Sequence, residues 1–309
     1  MSDSLAGPPL LAGKVILVTG AGGGIGREIA MLAAAEGARI IVNDLGAAVE
    51  GGGNDAAPAS QTVDAIRQAG GSAVADFGDV TSPADARKMV ELAVASFGRL
   101  DGVVNNAGNF RTAGIETVTL TDFDAHLRVH LFGSFNVSQA ALDVFLAQGS
   151  GVFLHTTSSS GLIGSRGALA YATAKGGIVS LSRSIALDVA HRRIRSNCIA
   201  PSAASRMSSA SAKKAGSDAR ASAIARSQPA QMAPLAVFLL SDAAAGVNGQ
   251  VIGARGNEIY LYSQPRPVRT LQDREGFTPA KLAAVLPEAW RTSWVPLESF
   301  VDVFSWPPQ

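Results

Sequence analysis

Lys14-Val-Ile-Leu-Val-Thr-Gly-Ala-Gly-Gly-Gly-Ile-Gly26 is the stretch on which the reading of the fold turns. Its apolar run, Val15 to Val18, reads as a strand buried on both faces, because no polar residue interrupts it. A glycine-rich turn follows, and Arg27-Glu-Ile-Ala-Met-Leu-Ala-Ala-Ala-Glu36 has helix-forming composition and spacing. Strand, turn and helix make an anion cradle, in which the turn offers backbone N–H groups and the helix offers the positive end of its dipole. In the spacing Gly20-x-x-x-Gly24-x-Gly26, Gly20 permits a tight turn and Gly24 lets the backbone approach a pyrophosphate. Gly26 lets helix and strand pack closely, and Ile25 sits within the same cradle.

Outward from that stretch, Arg39-Ile-Ile-Val-Asn-Asp44 reads as a second strand ending in a carboxylate. Asp44 stands at about the separation expected of an acid that accepts bonds from a ribose and repels a 2′-phosphate. The cofactor so read is NAD rather than NADP; the plainer alternative is an acid that only caps a strand end. The chain of 309 residues is 47% hydrophobic and 17% charged, with a net charge of +1. That balance leaves no basic face for nucleic acid. The single cysteine, Cys198, excludes an intramolecular disulfide and suits a reducing compartment. No apolar run reaches membrane-spanning length, and the first eleven residues lack the pattern of a secretory signal. The expectation is a cytoplasmic protein with neither nucleic-acid nor membrane partners.

Residues 45–58 form a glycine-rich loop expected to be exposed and mobile. A helix is expected over 60–69, a third strand over 72–77 closed by Asp79 and Val80, and a helix opened by an N-cap at Ser82 with Pro83 at its first position. Leu100 to Gly108 reads as a strand ending in a second glycine turn, Asn106-Ala107-Gly108. One long helix over 121–147, a fifth strand over 150–157, a helix over 170–190 and a strand over 194–199 follow. Pro234 to Ser241 reads as helical and 249–253 as the last strand. Alternating strands and helices with such loops imply an α/β fold: a doubly wound, Rossmann-type parallel sheet in three layers. Its ligand crevice lies at the carboxyl ends of the strands, so Gly20, Asp44, Asp79 and Asn106 should share one rim. Residues 1–256 are expected to form the cofactor-binding and catalytic domain, with 202–227 either a substrate lid or a solvated connection. Residues 257–309 hold all three tryptophans and several prolines, and should wrap the domain or a neighbouring subunit.

Tyr171 and Lys175 stand at i and i+4 on one predicted helix and share a face. An ammonium beside a phenol favours the phenolate, and the pair can exchange a proton with an alcohol while a nicotinamide exchanges the hydride. Ser158, in the loop after the fifth strand, could hydrogen-bond the reacting oxygen. His126 and His130 have the i, i+4 spacing of metal ligands, but no third ligand accompanies them and no metal is expected. His155 and His191 read as structural.

Thr19-Gly-Ala-Gly-Gly-Gly-Ile-Gly26, Asn105-Asn-Ala-Gly108, the serine loop, Tyr171-Ala-Thr-Ala-Lys175 and Asn197-Cys-Ile-Ala-Pro201 together resemble the short-chain dehydrogenase/reductase family, in register from about Leu11 to Gly253. The resemblance implies Tyr171 as acid/base, Ser158 as stabiliser of the substrate oxygen, and Lys175 as ribose ligand and tuner of the phenol. It implies adenine contacts from Asp79 and Val80, and a cleft lined by Asn106, Ala107 and Gly108. The family commonly has Pro-Gly and then a threonine; this chain has Pro201-Ser-Ala-Ala-Ser205, so Ser205 would take the hydroxyl role. Where many members have Val-Asn-Leu, this chain has Val129-His130-Leu131. That departure, with Asn43-Asp-Leu-Gly46, resembles the dehydrogenase domain of multifunctional β-oxidation enzymes acting on 3-hydroxyacyl-CoA. His130 would then hold a relay water, or else simply pack under the site. The activity implied is NAD(H)-dependent interconversion of a secondary alcohol and a ketone by a homodimer or homotetramer. The alternatives are an NADPH-dependent ketoreductase and a silent NAD-binding sensor.

Overall fold

The computed structural model describes residues 7–203, 227–306 and 308. Ser205 and nearly all of the expected lid therefore lie outside the described residues. The glycine stretch forms β1 (Val15–Thr19), the turn and α1 (Gly24–Ala35). After them come β2 (Arg39–Asn43), α2 (Ala57–Gln68), β3 (Ser72–Asp76), α3 (Pro83–Phe97) and β4 (Gly102–Asn105). The second half contains α4 (Leu120–His126), α5 (Gly133–Gln148), β5 (Ser150–Thr156), the short α6 (Ser159–Leu162), α7 (Leu169–Asp188) and β6 (Arg193–Ser202). It closes with α8 (Ala233–Leu240), β7 (Val251–Arg255), β8 (Glu258–Leu261), α9 (Pro279–Ala289) and α10 (Phe300–Val303).

The eight strands form one sheet in the order β3-β2-β1-β4-β5-β6-β7-β8, parallel throughout except for β8. The order reverses between β1 and β4, which opens a crevice at their carboxyl ends. Helices cover both faces. On one face Ile29, Ala33, Val63 and Leu239 pack against Ile16, Val18, Ile40 and Val42. On the other, Met89, Val90, Val137 and Phe145 pack against Val15, Leu17, Val103 and Phe153. Alternate residues of β1 thus serve opposite cores, which is why the strand is apolar throughout.

Three expectations are corrected. The helix expected over 121–147 is interrupted by a π-helical turn, Leu127–Phe132. There the Ser134 hydroxyl donates to the His130 carbonyl at 2.6 Å, satisfying an acceptor in the widened turn. The third strand stops at Asp76, short of Asp79 and Val80. Strand β7 is not the last, because β8, inside the 257–309 segment, adds to it antiparallel. The loop after Asp44 is mostly exposed over 48–57, as expected, and is fastened at its middle. Phe110 N–H donates to Val49 O at 2.9 Å and the Arg111 guanidinium to Glu50 O at 2.6 Å, which ties the loop across the crevice.

Candidate active site

A groove of about 1300 Å³ runs along the carboxyl ends of the strands. Gly20, Gly24, Ile25, Asp44, Asp79 and Val80 line it toward the β2–β3 side. Asn106, Ala107, Gly108, His130, Ser158, Tyr171, Lys175 and Pro201 line the rest. Of the expected site residues among those described, Gly26 alone is not on the wall, and it supports the wall from behind. A Cβ there would overlap the Gly20 carbonyl and press on Asn106 Nδ2. Gly24 has φ +54°, and where its Cβ would stand no atom lies within 4 Å. The turn therefore opens onto free space.

Asn106 holds this turn in place: its side-chain amide donates to the carbonyls of Thr19 and Gly20, both at 3.1 Å. The Thr19 hydroxyl in turn accepts from the amides of Asn106 and Ala107 at 3.1 Å. Asp44 bridges two loops, accepting from Gly22 N–H at 2.7 Å and from Gly46 N–H at 2.8 Å. Each carboxylate oxygen keeps further acceptor capacity toward the groove.

Ser158 caps the short helix α6, and its hydroxyl is near enough to the Tyr171 phenol to oppose the effect of burial on it. The Lys175 ammonium lies 5.6 Å from the Tyr171 ring centroid and donates to Thr156 O at 2.6 Å. The groups expected to act together are thus side by side. Their electrostatics differ from the expectation, however. Burial raises the Tyr171 phenol above its ordinary value, opposed by the Ser158 hydroxyl. Burial also brings the Lys175 amine down to about 7, so near neutral pH it is only partly charged. In this groove desolvation outweighs the attraction that the i, i+4 spacing promised.

His130 is buried beneath Tyr171, with ring centroids 5.3 Å apart and planes near perpendicular. Its Nε2 lies 2.8 Å from Asn109 O and 3.3 Å from Asn109 N, and its Nδ1 has no hydrogen-bond partner. Burial and the nearby Lys175 hold it neutral. His126 has both ring nitrogens against backbone, Nδ1 at 2.7 Å from Asp122 O and Nε2 accepting from Arg111 N–H at 3.1 Å. That leaves neither nitrogen turned toward a metal shared with His130. His155 is buried, with Nδ1 3.2 Å from the Asn105 amide, and burial brings it to about 3.

Three residues at the site escaped the sequence reading. Phe110 packs edge-on against Tyr171 at 5.0 Å. Tyr262, beyond β8, hydrogen-bonds the Ser159 hydroxyl at 2.6 Å, next to Ser158. Arg255 ends β7, opposite Ser202, and faces the groove. Only Phe110 had a sequence signal, its place two residues beyond the second glycine turn.

A dinucleotide-type crevice with a serine, a tyrosine and a lysine at its centre defines an oxidoreductase of the Rossmann type. The family model described as short chain dehydrogenase matches residues 14–216, and the chain belongs to that family. It is 36% identical over 289 residues to the hydroxyacyl-CoA dehydrogenase ChsB1 of Mycobacterium tuberculosis, covering 89% of this chain and 88% of that one. It is 43% identical over 203 residues to the peroxisomal multifunctional enzyme type 2 of Mus musculus, spanning 66% of this chain but 27% of that protein. A crystal structure of a short chain dehydrogenase from Mycobacterium avium superposes with a TM-score of 0.82 at 34% identity, covering 94% of this chain and 99% of that one. Family membership carries oxidoreduction between an alcohol and a carbonyl with a nicotinamide cofactor. Among the described residues no helix is long and apolar enough to cross a membrane.

Proposed function

We propose that this protein is an NAD(H)-dependent dehydrogenase interconverting a secondary alcohol and a ketone, with 3-hydroxyacyl thioesters as the leading substrate class. The observation that carries the reading is one groove lined by Asp44 toward one end and by Ser158, Tyr171 and Lys175 at its centre, the lysine 5.6 Å from the phenol ring. The open space beside Gly24 and the dipole of α1 suit a pyrophosphate. Asp44, which lines the groove with acceptor capacity to spare, supports acceptance from ribose hydroxyls and repulsion of a 2′-phosphate. The relatives' hydroxyacyl-CoA and multifunctional-enzyme names support the thioester class.

The nicotinamide, when bound, supplies the acceptor for the hydride leaving the carbinol carbon. Ser158 donates a hydrogen bond to the substrate oxygen. Tyr171 as phenolate takes the hydroxyl proton as the C–O bond becomes a carbonyl, and in reverse the phenol gives that proton to the oxygen. Burial favours the protonated phenol, and a charged Lys175 beside it opposes that shift. His130 acts as a positioning residue, holding Asn109 and supporting the phenol ring.

The test is reduction of NAD⁺ and of NADP⁺ by a panel of secondary alcohols and 3-hydroxyacyl thioesters, followed as nicotinamide absorbance. Tyr171→Phe should lower turnover by about a hundredfold or more and leave NADH affinity close to that of the parent. A variant turning over at the parental rate would remove the assignment.

A further inference from the structure

We infer that the C-terminal aromatic segment is a specificity wall: Phe300, Phe304 and Trp306 receive the apolar portion of the alcohol substrate. The inference rests on the proposed dehydrogenase activity and adds to it which residues choose the substrate. The strand order places β2, with Asp44 after it, on one side of β5, and β7, with Arg255 at its end, on the other. Ser158 follows β5, so the catalytic hydroxyls stand between these two ends of the groove. An acid fit for a ribose marks the cofactor side. What lies beyond the hydroxyls, on the β7 side, meets the part of the substrate that does not react.

That side is built from the end of the chain. Phe300, Phe304, Trp306 and Pro308 line the groove although their sequence positions lie some fifty residues past β7. Their placement depends on Arg255, whose side chain is buried. Its guanidinium lies 5.4 Å from the Phe304 ring and 5.3 Å from the Trp306 ring. It donates to the backbone carbonyls of Phe304, at 3.5 Å, and of Trp306. Glu258 stands 3.4 Å from its Nε and accepts from the Trp306 indole N–H at 2.9 Å. The charge of Arg255 is thereby engaged by Glu258 and the tail backbone, and the face left for a ligand is aromatic. Rings packed against one another at a tilt and supported by a cation hold apolar matter by area and shape rather than by hydrogen bonds. Arg166, an exposed residue that also lines the groove, stands close enough to Asp302 of α10 for its charge to help hold that carboxyl below its ordinary value, so the cation is met by the tail's own acid.

The test compares full-length parent with Phe304→Leu, Trp306→Leu and the double variant, the leucines being chosen to keep the tail apolar and docked. Substrates are hydroxybutyryl-CoA and hydroxydodecanoyl-CoA, together with short and long secondary alkanols, at saturating cofactor. The wall predicts that kcat/KM for the long members falls by about tenfold or more while the short members change by less than about threefold. A second readout needs no turnover: quenching of tryptophan emission by a long-chain methyl ketone, with Trp306→Phe as the blank. Quenching in the parent that is lost in the blank supports the wall, even if no alcohol is oxidised; that last outcome would sink the dehydrogenase reading instead. Equal losses for short and long substrates, or a change confined to the KM for NAD⁺, would overturn the wall and assign the rings to the fold or to the cofactor. Absence of quenching by the ketone would overturn it as well.

Discussion

Lys175 shows how one buried group couples chemistry to stability. Its amine is brought from 10.5 to about 7 by burial, so between those values the unfolded chain binds a proton that the folded one does not. Stability therefore rises with pH across that window, and the full penalty is present below about pH 7. In the cofactor-free protein, Lys175→Met should melt above the parent near pH 6, by an amount on the order of a few kcal/mol less the lost bond to Thr156 O. The advantage should shrink as the pH approaches about 10. A melting difference that stays constant over that range would place the effect in packing. Asp44 carries two duties at once, because its carboxylate accepts from the amides of Gly22 and Gly46. Asp44→Ala should narrow the NAD/NADP preference and also cost about 1–3 kcal/mol, since two backbone donors lose their acceptor. Denaturant unfolding beside the ratio of kcat/KM for the two cofactors checks both; an unchanged ratio would mean another group excludes the 2′-phosphate.

At the scale of elements, the π-helical turn and the second glycine turn fit one another. The turn at Leu127–Phe132 carries His130 to a point where its ring fills the space a Cβ on Gly108 would need. Gly108 has no positive φ, so alanine there is refused by the imidazole and not by the backbone. Gly108→Ala should destabilise by about 1–3 kcal/mol, and His130→Ala in the same chain should return part of that loss. A double-mutant cycle by thermal unfolding measures the coupling, and simple additivity would contradict the account. The same imidazole meets the backbone of Asn109 beneath the phenol, its Nε2 lying 2.8 Å from the carbonyl.

Across the whole molecule, the last fifty residues reach the chemistry at two points: the aromatic segment held by Arg255, and Tyr262. The Tyr262 hydroxyl bonds Ser159, adjacent to the serine that contacts Tyr171. Removing that hydroxyl frees the serine loop without touching the cofactor side. Tyr262→Phe should reduce kcat by about two- to tenfold with NADH affinity unchanged. A fall in NADH affinity with kcat retained would show that Tyr262 serves the cofactor side instead.

The sequence by itself determined the parallel sheet and the shared helix face of Tyr171 and Lys175, because both depend on local signals with fixed spacing. A doubly apolar strand followed by glycines can be read from Val15 to Gly26, and two residues four apart on a helix must share a face, as Tyr171 and Lys175 do. Only the tertiary structure decided the rest. The continuous-looking helix pattern over 121–147 hides the π turn, since Ser134 reaches back to a carbonyl without altering the apolar period. The pKa values of Tyr171 and Lys175 follow from how much water the packed chain excludes, which no i, i+4 spacing records. Nor does any motif announce that Arg255 will gather Phe304 and Trp306 to the groove. Contacts between residues fifty positions apart depend on where the sheet ends and how the chain returns to it.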